Sequence, residues 1–207
     1  MSARDEILDR VRSALASAHQ HAAIPREYRA TTDDGLDTFL DRLAHYDATT
    51  HVVEEAELEA LIPTILGGGR IVAPAGLDEA WLAGATPLGD DPPLDHDALD
   101  QADGVLTTCA LAIAQTGTIV LDGGPGMGRR ALTLLPDHHV CVVRAAQLVS
   151  SVPQAIRSLA QRPARPLTFI SGPSATVDIE MTRVRGVHGP RRLEVIVATA
   201  PPTGRAT

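Results

Sequence analysis

Short apolar segments alternate along the chain with amphipathic stretches, and this alternation restricts the fold more than any other feature. His51 to Glu54, Arg70 to Ala73, Gly104 to Thr107, Val140 to Val143, Leu167 to Ile170 and Leu193 to Val197 have the length and composition of buried strands. Between them, Asp33 to Asp47 places Leu36, Phe39, Leu40 and Leu43 at helical spacing. Ala56 to Leu66 reads as a helix stopped by Gly67-Gly68-Gly69, and further helical patterns fall at Asp78 to Ala83 and near Gln147 to Gln161. Strands alternating with helices imply an α/β fold around a largely parallel sheet. One place breaks the pattern. Ala110 to Ala114 and Thr118 to Leu121 are separated only by Gln115-Thr116-Gly117, which is too short for a crossover helix. That pair is expected to form a tight antiparallel hairpin or a sharply bent strand, which makes the sheet mixed.

The first stretch, Ser2 to Gln20, carries Ile7, Leu8, Val11 and Leu15 at helical spacing, with Ser2 and Asp5 resembling a capping box. His19 to Thr32 has no periodicity and reads as a linker, so the helix is expected to behave as an arm. The chain divides into this helix and linker over residues 1–31, an α/β domain over 32–200 and a tail over 201–207. Asp90 to Asp103 is acidic and contains proline, as a surface loop with a turn of helix would.

Composition removes several function classes. Aromatic residues are only 2% of the 207, too few for base-stacking platforms, and the net charge of -8 opposes attachment to nucleic acid or anionic lipid. All 18 basic residues are Arg, so Schiff-base chemistry and the phosphate-loop lysine are absent. Any anion must be held by Arg or by backbone amides. Cys109 and Cys141 are too few for an iron-sulfur cluster or a four-Cys zinc site, and both sit in apolar runs as buried free thiols would. No metal and no cofactor are expected in this chain. The first residues lack a secretory apolar core and no window approaches ~18 apolar residues, so the sequence reads as cytoplasmic, without a membrane span.

Three segments have the residue types that carry chemistry. Thr116-Gly117-Thr118 leads through Leu121-Asp122 into Gly123-Gly124-Pro125-Gly126-Met127-Gly128-Arg129-Arg130. Glycines free the backbone to turn its amides toward a ligand, and two guanidinium groups suit a phosphate or carboxylate; the same residues also suit a plain hairpin-to-helix connection. In Ile170-Ser171-Gly172-Pro173-Ser174 a strand ends in small hydroxyl residues, and Ser174 is placed to cap a short helix whose amides receive an anion. Asp178 and Glu180 follow two apart, which puts them on different faces of such a helix. Third, His188 lies in the glycine-flanked turn Gly186-Val187-His188-Gly189-Pro190 and is a proton-carrier candidate. His138 and His139 stand in tandem before a strand and point to opposite faces, so they do not chelate one metal.

Together, Ala112 to Leu121, Arg129 to Pro136, Ser171 to Ser174 with Asp178 to Glu180, and Gly186 to Pro190 resemble the LUD-domain family, strongly over about 110–197 and in layout only before that. The resemblance implies a three-layer α/β/α core similar to ribose-phosphate isomerases, glucosamine-phosphate deaminases and coenzyme A transferases. It also implies lactate utilisation, the oxidation of L-lactate to pyruvate beside partner proteins that carry iron-sulfur clusters. Where the family usually has Glu, this chain has Gln115, which hydrogen-bonds but cannot act as a carboxylate base.

Two functions follow. In the first the chain is a non-redox subunit or accessory of a lactate-oxidising system, binding a small carboxylate or docking a partner through its arm. In the second it is a stand-alone enzyme of the sugar-phosphate isomerase or acyl- and coenzyme A-transfer type. The expected ligand site gathers Gln115, Thr116, Gly117, Thr118, Gly124, Gly126, Gly128, Arg129, Arg130, Ser171, Gly172 and Ser174 into one cleft, with His188, Asp178 and Glu180 as catalytic candidates.

Overall fold

The computed structural model describes residues 2–15, 31–162, 164–177, 183–186 and 188–200. Residues 19–30 of the expected linker, the tail over 201–207, Asp178 and Glu180 lie outside the described residues.

Helix α1 spans Ala3–Leu15 and buries none of its residues. The reciprocal Ser2–Asp5 bonds start it, with Asp5 N donating to Ser2 Oγ and Ser2 N to Asp5 Oδ2. Thr32 is tied to the body, its amide donating to Ser150 Oγ. Helix α2 (Leu36–His45) then inserts Phe39 and Leu43 into the core, and α3 (Leu58–Leu66) buries Leu58, Ile62 and Leu66 before Gly67 ends it in the left-handed conformation.

Six strands make one sheet: β1 (Thr49–Glu54), β2 (Arg70–Val72), β3 (Thr86–Leu88), β4 (Gly104–Thr108), β7 (His138–Arg144) and β12 (Arg192–Thr199). Their order is β1-β12-β7-β4-β2-β3, and every pair is parallel. Alternation of side chains then sorts the core. Val140, Val142, Ile196 and Leu106 meet α3 and Trp81 on one face; Cys141, Val143, Val195 and Val197 meet α2 on the other. Helices on both faces give the three-layer α/β/α arrangement.

The hairpin forms as the short Gln115-Thr116-Gly117 connection requires: β5 (Leu111–Ile113) pairs antiparallel with β6 (Thr118–Leu121). It does not join the parallel sheet. With β8 (Leu148–Val149) and β9 (Thr168–Ile170) it builds a second sheet in the order β8-β5-β6-β9. One face of this sheet, through Ala112, Ile119 and Leu121, shares the α2 core; the other, through Leu111, Ile113 and Val120, packs on α5 (Val152–Ala160). The helical pattern near Gln147 is thus shorter than expected, because β8 takes its first residues. A five-residue helix, α4 (His96–Asp100), sits in the acidic loop and buries Leu99.

One expectation is overturned after Ser174. Ala175 to Val177 form β10, which pairs antiparallel with β11 (Arg183–Arg185) as a two-stranded ribbon. Ser174 is therefore followed by a strand and caps no helix among the described residues.

The carboxylate of Glu194 ties three strands at their amino ends. Its Oε2 lies 3.0 Å from His51 Nε2 and its Oε1 3.0 Å from His138 Nε2. The second contact is close but misdirected, so His138 Nε2, on a ring only 5% exposed, has no well-aligned partner among the described residues. Burial, reinforced by Arg192, holds the His138 imidazole below its ordinary value despite the opposing pull of Glu194. The folded protein therefore resists protonation that the unfolded chain accepts. Stability is expected to fall as pH drops through about 6.5. Melting temperatures between about pH 7.5 and pH 5.5 check this, and His138→Gln should flatten the fall. Asp90, whose pKa Arg129 lowers, acts in the same direction only near its own, much lower range.

Candidate functional site

A cavity of about 180 Å³ lies where the end of β9, the turn before β12 and the first residues of β7 meet. Ser171, Gly172, Pro173 and Ser174 form one wall, His188, Gly189 and Pro190 a second, and Arg130 with Thr133 a third. His139 and Leu193, near the amino ends of β7 and β12, form the floor.

Each wall has a local cause. Gly172 lets β9 end close against α2: a Cβ there would meet Tyr46 Cβ at 2.6 Å. Ser174 Oγ accepts the His188 amide at 3.0 Å, which ties the two walls together and brings the His188 loop to the cavity. Arg130 opens a single-turn 3-10 helix (Arg130–Thr133), where its Nη1 reaches Thr133 O and Oγ1 at 3.3 and 3.2 Å. This steadies the guanidinium while leaving donors for an anion, since Arg carries five. Beneath them His139 Nε2 pairs with Thr107 Oγ1 at 2.8 Å, which fixes the ring. Neither His139 nor Thr133 was anticipated as a wall of this site. Strand alternation separates His139 from His138, but no local signal in the sequence shows which of the two meets a cavity.

The segments expected to form one cleft are divided among neighbouring openings. Gly123, Gly124 and Gly128 line a different opening, of about 690 Å³, with Ala73 to Gly76 and Gly89 to Asp91 at the carboxyl ends of β2 and β3, while Gly123, Gly128 and Arg129 border a further one, of about 370 Å³, that shares Arg130 and Thr133 with the serine-walled cavity. Amides of all but the first of the loop's glycines are already bonded. Gly124 N donates to Asp122 Oδ1 at 2.9 Å, Gly126 N to Ala75 O at 2.7 Å and Gly128 N to Gly124 O at 3.3 Å. The glycines are needed for close approach instead: a Cβ on Gly126 would sit 2.6 Å from Thr108 Oγ1, and one on Gly128 2.5 Å from Leu132 Cδ1. Arg129 is likewise committed. Its Nε and Nη2 grip Asp90 at 2.8 and 2.9 Å, and Nη2 also donates to Leu94 O at 2.6 Å.

The hairpin turn reaches the cavity only through hydroxyls. Thr116 Oγ1 pairs with Thr118 Oγ1, which pairs with Ser171 Oγ. Gly117 faces α2, and Gln115 is exposed, its backbone N–H donating to Ser150 O. The cavity also lies at the amino ends of the parallel strands, opposite to the edge where open α/β sheets commonly bind ligands.

The LUD-domain family profile matches residues 93–198. These residues hold every wall of the cavity. The chain belongs to the LUD-domain family. It is 47% identical over 201 residues to a Lactate utilization protein C of Deinococcus radiodurans, covering 94% of this chain and 95% of that protein. It is 29% identical to a Lactate utilization protein C of Shouchella clausii, with 94% and 96% covered. A crystal structure of a DUF162 family protein from Deinococcus radiodurans matches with a TM-score of 0.69 at 45% identity, covering 78% of this chain and 94% of that one. This LUD-domain chain buries both cysteines as free thiols, and contact with Cys141 and burial push the Cys109 thiol well up. Among its described residues no group of three or more His, Cys, Asp or Glu is arranged to hold a metal ion, and no helix is long and apolar enough to cross a membrane.

Proposed function

We propose that this protein serves lactate utilisation as a non-redox component, binding the three-carbon acid while partner proteins with iron-sulfur clusters take the electrons. The observation that carries the reading is the convergence of Arg130, Ser171, Ser174 and His188 on a cavity of about 180 Å³. At roughly 30 Å³ per water-sized group, that space accommodates about six heavy atoms, the size of lactate or pyruvate. Arg130 offers the planar fork a carboxylate needs, the two serines offer hydroxyls to the oxygen on C2, and His188 borders the opening. The names borne by the relatives supply the metabolic context. Oxidation of a 2-hydroxy acid removes two electrons, and two buried thiols in contact with each other are no substitute for a four-cysteine cluster site.

The exposed stripe of α1 supports the partner half of the reading: Ile7 is 60%, Val11 47% and Leu15 63% exposed. The alternative, a stand-alone sugar-phosphate or coenzyme A enzyme, loses support because Arg129 and the Gly124, Gly126 and Gly128 amides are spent internally and the serine-walled cavity is small.

Calorimetric titration tests the ligand. Lactate and pyruvate should each give saturable heat with one site, and inorganic phosphate a clearly weaker signal. Absence of binding by both acids removes the proposal. Deleting residues 1–15 should leave that binding intact and abolish co-purification with a cluster-bearing partner from native cells; undiminished co-purification rules out the arm as the docking element.

A further inference from the structure

The opening of about 370 Å³ that shares Arg130 and Thr133 with the serine-walled cavity takes its other walls from the end of β6, the glycine loop, and the start of β9 with Arg165 and Pro166 before it. Contacts place two of its guanidinium groups. Arg130 Nη1 rests on Thr133 O and Oγ1, at the border of the two openings. Arg165 crosses Gly124: a Cβ there would meet Arg165 Nη1 at 2.8 Å, Asp122 Oδ1 at 2.8 Å and Met127 Cε at 3.2 Å. Asp122 and Met127 both border the opening, so the head of Arg165 lies at its edge, in room that only a glycine at 124 leaves. The charges here do not cancel. Arg129 is held by Asp90. Asp122, the one carboxylate among the lining residues, has both oxygens engaged, Oδ1 by Gly124 N and Oδ2 by Arg162 Nη1. Arg130 and Arg165 form no ion pair among the described residues. In a chain of net charge -8, one opening thus keeps two guanidinium groups available to an anion.

We propose that this second opening binds a short dicarboxylate, with one carboxylate on Arg130 and the other on Arg165. The two guanidinium groups are anchored on different elements, Arg130 on its 3-10 turn and Arg165 over the glycine loop, so they offer two places for negative charge. Leu121, Met127 and Pro166 supply apolar wall for methylene groups. At roughly 30 Å³ per water-sized group the space accommodates about twelve heavy atoms, enough for a four- or five-carbon diacid. A monocarboxylate leaves one guanidinium unused. Arg130 has five donors and commits one nitrogen to Thr133, so it can serve both openings. The dicarboxylate site does not rest on the three-carbon acid reading, because Arg165 borders the second opening and not the first.

Calorimetric titration of the full chain with succinate, butyrate and inorganic phosphate reads the site. Succinate is expected to give saturable heat, and butyrate, of the same length with one carboxylate, to bind roughly tenfold or more weakly. Arg165→Ala should lower succinate affinity roughly tenfold and leave lactate affinity within about twofold. Its melting temperature should match wild type, since Arg165 is exposed. Arg130→Ala should weaken both ligands. Arg165→Lys keeps the charge without the planar fork and should recover part of the succinate affinity. Equal affinities for succinate and butyrate, or an Arg165→Ala variant that binds succinate as wild type does, overturn the dicarboxylate site. An equal loss of lactate affinity in Arg165→Ala overturns the separation of the two sites. Phosphate bound more tightly than succinate, with the same dependence on Arg165, overturns the ligand class. If lactate and pyruvate fail to bind while succinate binds through Arg165, the reading of the serine-walled cavity falls and this site stands.

Discussion

Arg130→Ala is expected to weaken binding of lactate and pyruvate by roughly 10- to 150-fold, the loss that follows from removing one charge-assisted hydrogen bond of ~1.5 to 3 kcal/mol. Arg129→Ala should behave differently, although the two residues are neighbours. The Arg129 guanidinium is held by both oxygens of Asp90 and by Leu94 O, so its loss frees a carboxylate that is only 15% exposed. Because the guanidinium itself is 36% exposed, solvent screens much of the pair, and a cost of about 1 kcal/mol is expected. Affinities for the acids should then stay within about threefold of wild type, and the melting temperature should drop by roughly 2 to 4 °C. Calorimetry and thermal melts on the two single variants separate these outcomes. If Arg129→Ala abolishes binding and Arg130→Ala does not, the ligand does not occupy the serine-lined cavity, which Arg130 borders and Arg129 does not.

That contrast also shows where reading the sequence reaches its limit. Arg129 and Arg130 are chemically identical and adjacent, and what divides them is Asp90, 39 residues upstream in a loop whose position no local pattern dictates. The glycine-rich segment has the composition of an anion cradle, yet composition cannot say whether an amide points at solvent or at Asp122 and Ala75. Ser174 carries the same local signal before a helix as before a strand. Pairing of Ala175 to Val177 with Arg183 to Arg185 decides it, and that is a contact between separated residues. What the chain states locally survives folding. The short Gln115-Thr116-Gly117 link excludes a crossover helix and closes a hairpin, the α2 stripe puts Phe39 and Leu43 in the core, and Gly67 stops α3. The existence of a second sheet was not legible, because β5 and β6 read alike whether they extend the parallel sheet or leave it. Its separation decides the site: β9 brings Ser171 to the amino ends of β7 and β12, away from the carboxyl edge where the sequence alone suggests looking.

Gly117→Ala should be among the most destabilising single-methyl changes available, and Gly117→Val more so. Two separate penalties meet at this turn. The backbone has φ +62, a conformation that costs a residue with a Cβ about 1 kcal/mol or more. The added Cβ would also lie 2.5 Å from Arg42 Cβ and 3.1 Å from both Arg42 C and Leu43 N. These are atoms of the α2 backbone and of the first side-chain carbon, not a flexible tip, so only a shift of the helix relieves the overlap. That helix carries Phe39 and Leu43, both 0% exposed, so moving it loosens the core shared by the two sheets. Overpacking of this kind adds ~1 to 3 kcal/mol, for a total of about 2 to 4 kcal/mol and a fall in melting temperature of roughly 5 to 15 °C. Gly84→Ala isolates the first penalty, since Gly84 has φ +78 but nothing within 4 Å of its Cβ position. It should lose only about 1 kcal/mol. Thermal melts of the two alanine variants measure the difference directly. Equal losses would mean that α2 yields freely to the hairpin, and the tight seating of Thr116 and Thr118 beside the cavity would then need another cause.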